Sequence, residues 1–446
     1  MPSIHPFRAL RYSREVVDDL STVVAPPYDV IGPEEHRRLL RRDPRNVVRL
    51  DLPEEEPGDP EDERYRRAAR TLNAWRVEGI LRRDPRPALY AYEQTYRVPG
   101  TSREATRRGI FARVGLEPFG PTSGIRAHER TLAGAREDRY KLLRATSVNT
   151  SPVVGLGDDP TGLVPEWLRD VATKRPVAEL VDDSGVRHRL WIAVAGVSEG
   201  SDPAAGAVCE RLGANPITLA DGHHRYETAL RYADERRRGP AIEDAPAWAE
   251  ILMLILEPVE GALTVLPTHR VLLGLDAGAV DRLGARLPEL FDVEPGVGRE
   301  RLLAEFGPGS EGRGGNGRFG LWTRHGSAIL HARRAAFADS LPEGGDAVRR
   351  LDVTLASVAI ERLSGIDPSA VAQGRIAFTM DAAEAIAWVD AGAAPTGGLP
   401  ASAALLLDPT PASEIVAVAA DGDVMPQKST YIYPKALTGL VINPLE

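Results

Sequence analysis

Apolar and polar positions recur with two different periods along this chain, and together they predict a protein of mixed helices and strands. Apolar residues at helical spacing over roughly 61–80 predict a helix. Alternation around the Pro99-Gly100 turn predicts a β-hairpin over 90–114. The same patterns predict strands at 46–52, 190–194, 217–220, 251–256, 263–266, 403–407 and within 430–442, and helices near 32–35, at 137–144, from 223 and at 411–420.

The chain is long enough for more than one lobe. Its 446 residues are two to three times the commonest domain size of about 100–150 residues. Glycine-rich and acidic breaks at 198–206 and 307–317 are candidate loops. We predict an N-terminal segment over 1–85 packed on a catalytic core over 86–290, and a C-terminal lobe over 318–446 that returns to the cleft.

Composition narrows the class of protein. The formal net charge of −9 argues against a nucleic-acid binder that depends on overall positive charge. The single cysteine, Cys209, forms neither an internal disulfide nor a cysteine-built zinc site. The start lacks a signal-peptide pattern, and the longest apolar runs are far shorter than the roughly 20 residues of a membrane span. We therefore expect a soluble, cytoplasmic protein with neither membrane nor nucleic-acid partners.

A glycine pattern at 312–317 matches the G-x-G-x-x-G fingerprint of dinucleotide-binding folds. That fingerprint requires a strand before it and a helix after it. Here the preceding residues 301–306 have a helical pattern and the following residues 319–331 an extended one. We interpret the pattern as a linker and not as a dinucleotide site.

The segment Ile217 to Leu230 carries the strongest chemical signal. A buried strand is followed by Asp221-Gly222 and then by a helix that starts at His223. Such a strand-to-helix turn offers free backbone N–H groups and a helix dipole to an anion. His223, His224 and Arg225 add donors suited to a phosphate.

Other interpretations of this turn remain open. Asp221 is a candidate ligand for a metal that bridges phosphates, but it is equally a good helix cap. Asp-Gly is also a common turn pair. His223 and Glu227 stand four residues apart and offer a shared metal as a further alternative.

Four more polar clusters interrupt ordinary sequence. The proline-rich turn at 26–30 holds Asp29 in a position where it is available to a ligand. The alternative is a purely structural proline turn in which Tyr28 packs against the protein. His128 and Glu129 offer an acid–base pair, or a solvated charge cluster. The other two clusters are Thr268-His269-Arg270 after an apolar strand, and Lys428-Ser429-Thr430 within 425–435. Capping or solvated turns are the alternatives for these two.

Five ordered motifs carry a resemblance to a known family. They are Pro-Pro-Tyr-Asp-Val-Ile at 26–31, His-Glu-Arg-Thr at 128–131, Ala-Asp-Gly-His-His-Arg-Tyr-Glu-Thr-Ala-Leu at 220–230, Pro-Thr-His-Arg at 267–270 and Met-Pro-Gln-Lys-Ser-Thr-Tyr at 425–431. Together they resemble the bacterial and archaeal domain-of-unknown-function family numbered ten-fifteen.

The Asp-Gly-His-His-Arg turn is also similar to the nucleotide-contacting motif of the ParB and sulfiredoxin-like superfamily. That superfamily includes archaeal free serine kinases, which phosphorylate serine using ADP. The resemblance implies an α/β mixed (α+β) fold with a ParB/sulfiredoxin-like core, and a link to serine metabolism. It also implies a phosphotransferase-like site in which Gly222, His223, His224 and Arg225 bind phosphate.

The resulting hypothesis is a nucleotide-dependent phosphotransferase acting on a small hydroxyl metabolite, with free L-serine as the specific expectation. ATP or ADP would be the donor, and Mg²⁺ would be held by Asp221 or another acid. Glu129, or His128 beside it, would take the hydroxyl proton. Phosphate would also be bound by Lys428, Ser429 and Thr430. The substrate would be bound by Asp29, His269 and Arg270.

Two alternatives belong to other classes. A nucleotide-binding regulator without turnover would keep the 222–225 turn and would not need Glu129. A metal-dependent phosphatase would act on a phosphorylated metabolite. The sequence leaves the donor, the direction of the reaction and the oligomeric state open.

Overall fold

The computed structural model of the chain describes residues 1–120, 122–129, 133–239, 246–257, 263–307, 314–371, 373–395 and 398–446. Helices and strands alternate throughout this part of the chain, which confirms the mixed α and β class.

The strands are short and spread over the whole chain. In chain order they are β1 Ile4–His5, β2 Leu10–Tyr12, β3 Leu81–Arg83, β4 Ala88–Arg97, β5 Glu104–Gly115, β6 Ile125–Arg126, β7 Val148–Asn149, β8 Val153–Gly157, β9 Ala178–Val181, β10 Arg187–Val194, β11 Ile217–Asp221, β12 Glu250–Leu256, β13 Thr264–Leu266, β14 His269–Leu273, β15 Phe291–Pro295, β16 Arg318–Thr323, β17 Gly326–Ala332, β18 Ile376–Thr379, β19 Ala401–Leu407, β20 Tyr431–Tyr433 and β21 Asn443–Pro444.

The helices fall between these strands. They are α1 Pro33–Arg42, α2 Val48–Asp51, α3 Glu63–Val77, α4 Ala133–Thr146, α5 Leu163–Ala172, α6 Ala205–Gly213, α7 His223–Arg237, α8 Ala277–Arg286, α9 Arg299–Phe306, α10 Asp346–Arg350, α11 Asp352–Ser364, α12 Ala382–Ala391 and α13 Ala412–Ala420. Short 3₁₀ segments also occur, and one of them is Tyr28–Val30.

A nine-stranded mixed sheet forms the larger layer. Its order is β6-β11-β8-β12-β5-β4-β10-β9, and β1 pairs with β5. β11 is parallel to β6 and β12 is parallel to β8, whereas the other pairs are antiparallel. Every residue of β12 is buried. Such a continuous apolar run is typical of a central strand covered on both faces.

The predicted hairpin is present as β4 and β5, and its alternation separates two cores. Tyr90, Tyr92 and Phe111 pack on one face, while Leu89 and Ile110 pack on the other. A side-chain period of two places neighbouring residues on opposite faces, so a single hairpin serves both cores.

A second sheet has six antiparallel strands in the order β15-β17-β16-β19-β14-β18. It includes β14, which lies before residue 290 in the sequence, together with five strands that lie after that residue. The division of the chain at 85 and 290–318 into functional segments stays a prediction.

The C-terminal segment from Met425 onward joins the two sheets and the N-terminal region. Met425 N–H donates to the His128 carbonyl at 2.7 Å, and β20 pairs with β13. Thr438 bridges to Ala25, Ile442 bridges to Leu10, and β21 pairs with β7. The C-terminal segment therefore lies against parts of the chain that are far from it in sequence.

Two sequence predictions differ from the structure. The apolar run at 46–52 is a helical turn, α2, and not a strand. Asn46 explains the difference, because its Oδ1 accepts from Val48 N and its Nδ2 donates to the carbonyls of Thr22 and Val24. The predicted strand within 430–442 is limited to β20.

The glycine pattern at 312–317 follows α9 and precedes β16, which is the reverse of a dinucleotide fingerprint. Residues 312 and 313 themselves lie outside the described part of the chain. None of the described helices combines the length and apolar character needed to cross a membrane.

Candidate functional site

The predicted strand-to-helix turn lies at the end of β11. Asp221 ends the strand, Gly222 follows with φ of +86°, and α7 begins at His223. A Cβ on Gly222 would stand 2.9 Å from Arg225 Nη2, so the turn requires glycine for both its backbone angle and its space. No side chain caps α7, which leaves the N-terminal N–H groups of the helix facing the turn.

Asp221 is held between two cations. Arg225 Nη2 donates to Asp221 Oδ2 at 2.8 Å, and Lys435 Nζ donates to Asp221 Oδ1. Burial alone would raise the pKa of Asp221, but the charges of Lys435 and Arg225 hold it well below its ordinary value. Asp221 is therefore ionised and neutralised by protein groups. The alternative role of helix cap is not observed.

This arrangement does not fit Asp221 as a Mg²⁺ ligand, because both of its carboxylate oxygens already accept from cations. Among the described residues, no group of three or more His, Cys, Asp and Glu side chains is placed to hold a metal ion. Glu227, the suggested partner of His223, instead forms an ion pair with Arg136 at 2.8 Å.

Arg225 has both terminal nitrogens in use. Its Nη1 donates to the Pro152 carbonyl and its Nη2 to Asp221. The bidentate phosphate contact predicted from the sequence would compete with these bonds. In this structure Arg225 therefore stabilises the turn by joining Asp221 to the Pro152 carbonyl.

Two buried histidines pack behind the turn. The rings of His128 and His223 meet edge to face with centroids 4.6 Å apart. His128 Nδ1 bonds to the Leu219 carbonyl, and its Nε2 lies 3.1 Å from Thr430 Oγ1. Burial lowers the pKa of His128 to about 4 and lowers the pKa of His223 well below its ordinary value. Both rings are neutral near pH 7, and His128 joins three segments of the site.

The stability of the protein is expected to fall as the pH drops from about 6.5 toward 4. Across this window the unfolded imidazole binds a proton while the buried His128 does not, so protonation favours the unfolded chain. Each such histidine contributes a slope of about 1.4 kcal/mol per pH unit. Urea-unfolding midpoints measured across pH 5–7 test this expectation.

In the variant His128→Gln, the unfolded chain is expected to bind about one proton fewer than in wild type across this window, which reduces the slope of the unfolding free energy with pH by about 1.4 kcal/mol per pH unit. The matched control is His331→Gln, since His331 is exposed. A slope equal in wild type and His128→Gln would show that His128 is not held neutral by the fold.

Glu129 is the candidate general base, and it lies beside the C-terminal segment. Lys428 N–H donates to Glu129 Oε1 at 2.9 Å, and Glu129 forms a parallel bridge with Met425. Burial among protein atoms raises the pKa of Glu129, with the Lys428 amide and charge acting in the opposite direction. A carboxylate with a raised pKa is a better proton acceptor than an ordinary one.

Glu129 opens onto a cavity of about 550 Å³. Arg126, Phe119 and Glu227 contribute to its wall, as does the 419–424 turn after α13. Volumes of about 300–1,000 Å³ are typical of small-molecule sites.

Asp29, His224 and Lys428 face the same region. The charge of Asp29 raises the pKa of Lys435, opposing the effect of burial. Burial first, and then the charge of Lys428, lower the pKa of His224, while Asp29 raises it. Asp29 and Lys428 are exposed. The motifs at 26–31, 220–230 and 425–431 therefore lie within electrostatic reach of one another.

Ser429 and Thr430 are used within the protein. Ser429 is buried and its Oγ donates to the Pro426 carbonyl at 2.5 Å. Thr430 contacts His128. Lys428, which precedes Ser429, has a positive φ of 56°. Phosphate contacts by the Ser429 and Thr430 side chains stay predictions.

His269 and Arg270 lie on β14 of the second sheet, and neither lines the Glu129 cavity. His269 is fully buried and its Nδ1 accepts from Leu407 N at 3.1 Å, so its ring offers no exposed atom to a substrate. Arg270 is also buried, and it lines a separate cavity beneath residues 424–427. Arg130 and Thr131 of the second motif lie outside the described residues.

Lys435 is the residue that the sequence interpretation missed. It contacts both Asp221 and the Tyr431 ring, whose centroid is 4.3 Å from Nζ. A signal was available, because the chain has four lysines among its 55 basic residues and two of them are Lys428 and Lys435. In a chain that uses arginine almost everywhere, retained lysines indicate a need for a compact ammonium.

Comparison with solved structures finds weak likenesses. A conserved hypothetical protein from Pyrococcus furiosus is 12% identical at a TM-score of 0.35, covering 73% of this chain and 90% of that one. A free serine kinase in complex with AMP has the same identity and TM-score, and the match covers 73% of this chain and 86% of that one. SbnI with C-terminal truncation from Staphylococcus aureus is 12% identical at a TM-score of 0.33, and the match covers 74% of this chain and 87% of that one.

At these TM-scores the likenesses carry no argument about activity, and the ParB/sulfiredoxin-like description of the core stays a prediction. Among curated proteins, none matches the sequence. The chain belongs to the family described as "Protein of unknown function (DUF1015)", which matches residues 4–354. The family resemblance is thus confirmed, and the segment that supplies Lys428 and Lys435 lies beyond the matched residues.

Proposed function

We propose that this DUF1015 family member is a nucleotide-dependent phosphotransferase that acts on a small hydroxyl-bearing metabolite, with free L-serine as the expected acceptor. One observation carries the proposal. A carboxyl group of raised pKa, Glu129, lines a cavity and accepts from the backbone N–H of the exposed Lys428, and the preceding His128 contacts His223 at the uncapped N-terminus of α7. Phosphoryl transfer requires these parts: a proton acceptor, a cation and anion-binding N–H groups.

In the proposed reaction, Glu129 accepts the proton of the substrate hydroxyl. The hydroxyl oxygen then attacks the terminal phosphorus of ATP or ADP, and the bond to the leaving ADP or AMP oxygen breaks. Lys428 and the N–H groups at the start of α7 bind the phosphate oxygens and oppose their charge. His224 contributes as a neutral imidazole, since its pKa is lowered.

His128 is a positioning residue in this proposal. Both of its ring nitrogens bond to protein atoms, and its carbonyl accepts from Met425 N. These bonds place Glu129 next to the 425–430 segment. The alternative in which His128 itself takes the proton is less favourable, because the ring is fully buried.

Asp29 is the proposed partner of a substrate ammonium. It is exposed on the 3₁₀ turn Tyr28–Val30, and its charge influences both His224 and Lys435. An amino-acid substrate would place its amine there and its hydroxyl toward Glu129. No step is assigned to Mg²⁺, since both carboxylate oxygens of Asp221, its predicted ligand, accept from Arg225 and Lys435.

The proposal is tested by thermal shifts with ATP, ADP, AMP, CTP, serine and phosphoserine, each with and without Mg²⁺. A nucleotide at a hundredfold excess over its Kd adds about 2.7 kcal/mol of stability. For a chain of this size we expect a rise of about 3 °C in Tm. The variant Lys428→Gln is expected to weaken nucleotide binding at least about tenfold, which halves the shift.

Lys174→Gln is the matched control, because Lys174 is an exposed lysine on the loop after α5. The rise in Tm that nucleotide causes is expected to be the same in this variant as in wild type. No shift with any nucleotide would overturn the proposal. A nucleotide shift without transfer to any hydroxyl substrate would support the non-catalytic regulator instead.

A further inference from the structure

Arg270 is a buried cation without an ionic partner among the described residues. It is 2% exposed, and it forms no ion pair in that part of the chain. Its Nη1 donates to the Thr268 carbonyl at 3.1 Å, and its Nη2 has no hydrogen-bond partner. Buried guanidinium groups are normally paired, so an unpartnered one indicates a missing anion.

The surroundings of Arg270 are those of a ligand cavity. Arg270 lines a space of about 400 Å³ between β14, β18, α11 and the 424–427 segment. Most of the wall is apolar, and it includes Val358, Ile360, Ile376, Phe378, Val424 and Met425. An apolar pocket with one convergent polar group is the usual form of a site for a small organic molecule.

Arg270 remains charged in this cavity. Burial lowers its pKa to about 10, with the charge of Glu129 acting in the opposite direction. The Glu129 carboxyl does not serve as its partner, since it accepts from Lys428 N instead. The cavity therefore presents a positive charge at neutral pH.

The charge balance favours a monoanion. Arg270 is the only basic side chain that lines the cavity in the described part of the chain, while Glu361 and Asp367 are exposed at its edge. A phosphate dianion would meet one cation and two acids there, whereas a carboxylate matches one guanidinium.

We propose that this cavity binds a small monocarboxylic acid with an apolar body, whose carboxylate bonds to Arg270 and whose body contacts Val358 and Phe378. Its lining shares only Val424 with that of the Glu129 cavity, and the inference does not rest on the proposed phosphotransferase activity. It gives Arg270 a ligand of a defined chemical class.

Isothermal titration of the full-length protein tests the inference, with hexanoate, octanoate, 3-phenylpropionate and 4-methyl-2-oxopentanoate as probes. At least one acid is expected to bind with a submillimolar Kd. The neutral 3-phenyl-1-propanol and the dianionic phenylphosphonate are expected to bind at least about tenfold more weakly. Nucleotide is absent from these titrations, so a failure of the phosphotransferase proposal leaves them unaffected.

Two variants separate charge from shape. Arg270→Met is expected to weaken acid binding at least about tenfold, and so is Val358→Phe, which fills the cavity while keeping the charge. If Arg270→Met fails to fold, Val358→Phe and the neutral alcohol decide the question. Three outcomes would overturn the inference: no acid binding, equal binding by a folded Arg270→Met, or phenylphosphonate binding as tightly as the acids.

Discussion

Replacing Glu129 by glutamine is expected to lower the rate of phosphoryl transfer by about 10²–10⁴-fold, which is the usual contribution of a general base. Glutamine keeps the size of the side chain and an oxygen that accepts from Lys428 N. It removes only the ability to take a proton. The nucleotide Kd is expected to change by less than about threefold, because the phosphates are assigned to Lys428 and the N-terminus of α7.

The measurement is the initial rate of phosphoserine formation from serine with ATP or ADP, together with nucleotide titrations of both proteins. Glu137→Gln is the control, since Glu137 is an exposed acid on α4 that pairs with Arg231. Transfer at the wild-type rate in Glu129→Gln would remove Glu129 from the reaction. Equal loss of binding and rate would instead assign it a structural role.

Replacing Lys435 by methionine is expected to lower the free energy of unfolding by about 3 kcal/mol, the cost of leaving a buried charge with part of its counter-charge removed. The Lys435 and Asp221 side chains are each 13% exposed. Arg225 remains bonded to Asp221 in the variant, which limits the loss. The contact of the ammonium with the Tyr431 ring is lost as well.

Urea unfolding and the Tm report this loss, with Lys141→Met as the control. Lys141 pairs with Asp62 at 2.7 Å, but those side chains are 31% and 37% exposed. Exposed pairs contribute at most about 1 kcal/mol. If Lys435→Met were as mild as Lys141→Met, the Asp221 network would not stabilise the fold. Adding Asp221→Asn to Lys435→Met is expected to deepen the loss, since it removes the carboxylate that still pairs with Arg225.

The local elements of the site could be predicted because their signals are local. The turn between β11 and α7 follows from an apolar run, an Asp-Gly pair and a helical pattern within fifteen residues. The hairpin of β4 and β5 follows in the same way from alternation about a Pro-Gly turn. In both places backbone preference and the hydrophobic pattern agree with the fold.

What the sequence could not predict has a different cause. The run at 46–52 has a strand-like pattern, yet Asn46 bonds to distant backbone carbonyls and starts a helical turn. The sequence also did not show that β14 would bury His269 and Arg270 within the second sheet, and their substrate-binding roles stay predictions. In each place tertiary contacts override what the neighbouring residues favour.

The sequence by itself determined the mixed fold class, the family and the set of polar motifs, because these depend on residue identity and short spacing. Tertiary structure alone decided which motif residues reach the cleft. It placed Lys435 on Asp221 and Lys428 beside Glu129, across 214 and 299 residues of chain. It also enclosed His128 and Arg270. Such contacts depend on how sheets and the C-terminal segment pack, and no local pattern encodes that packing.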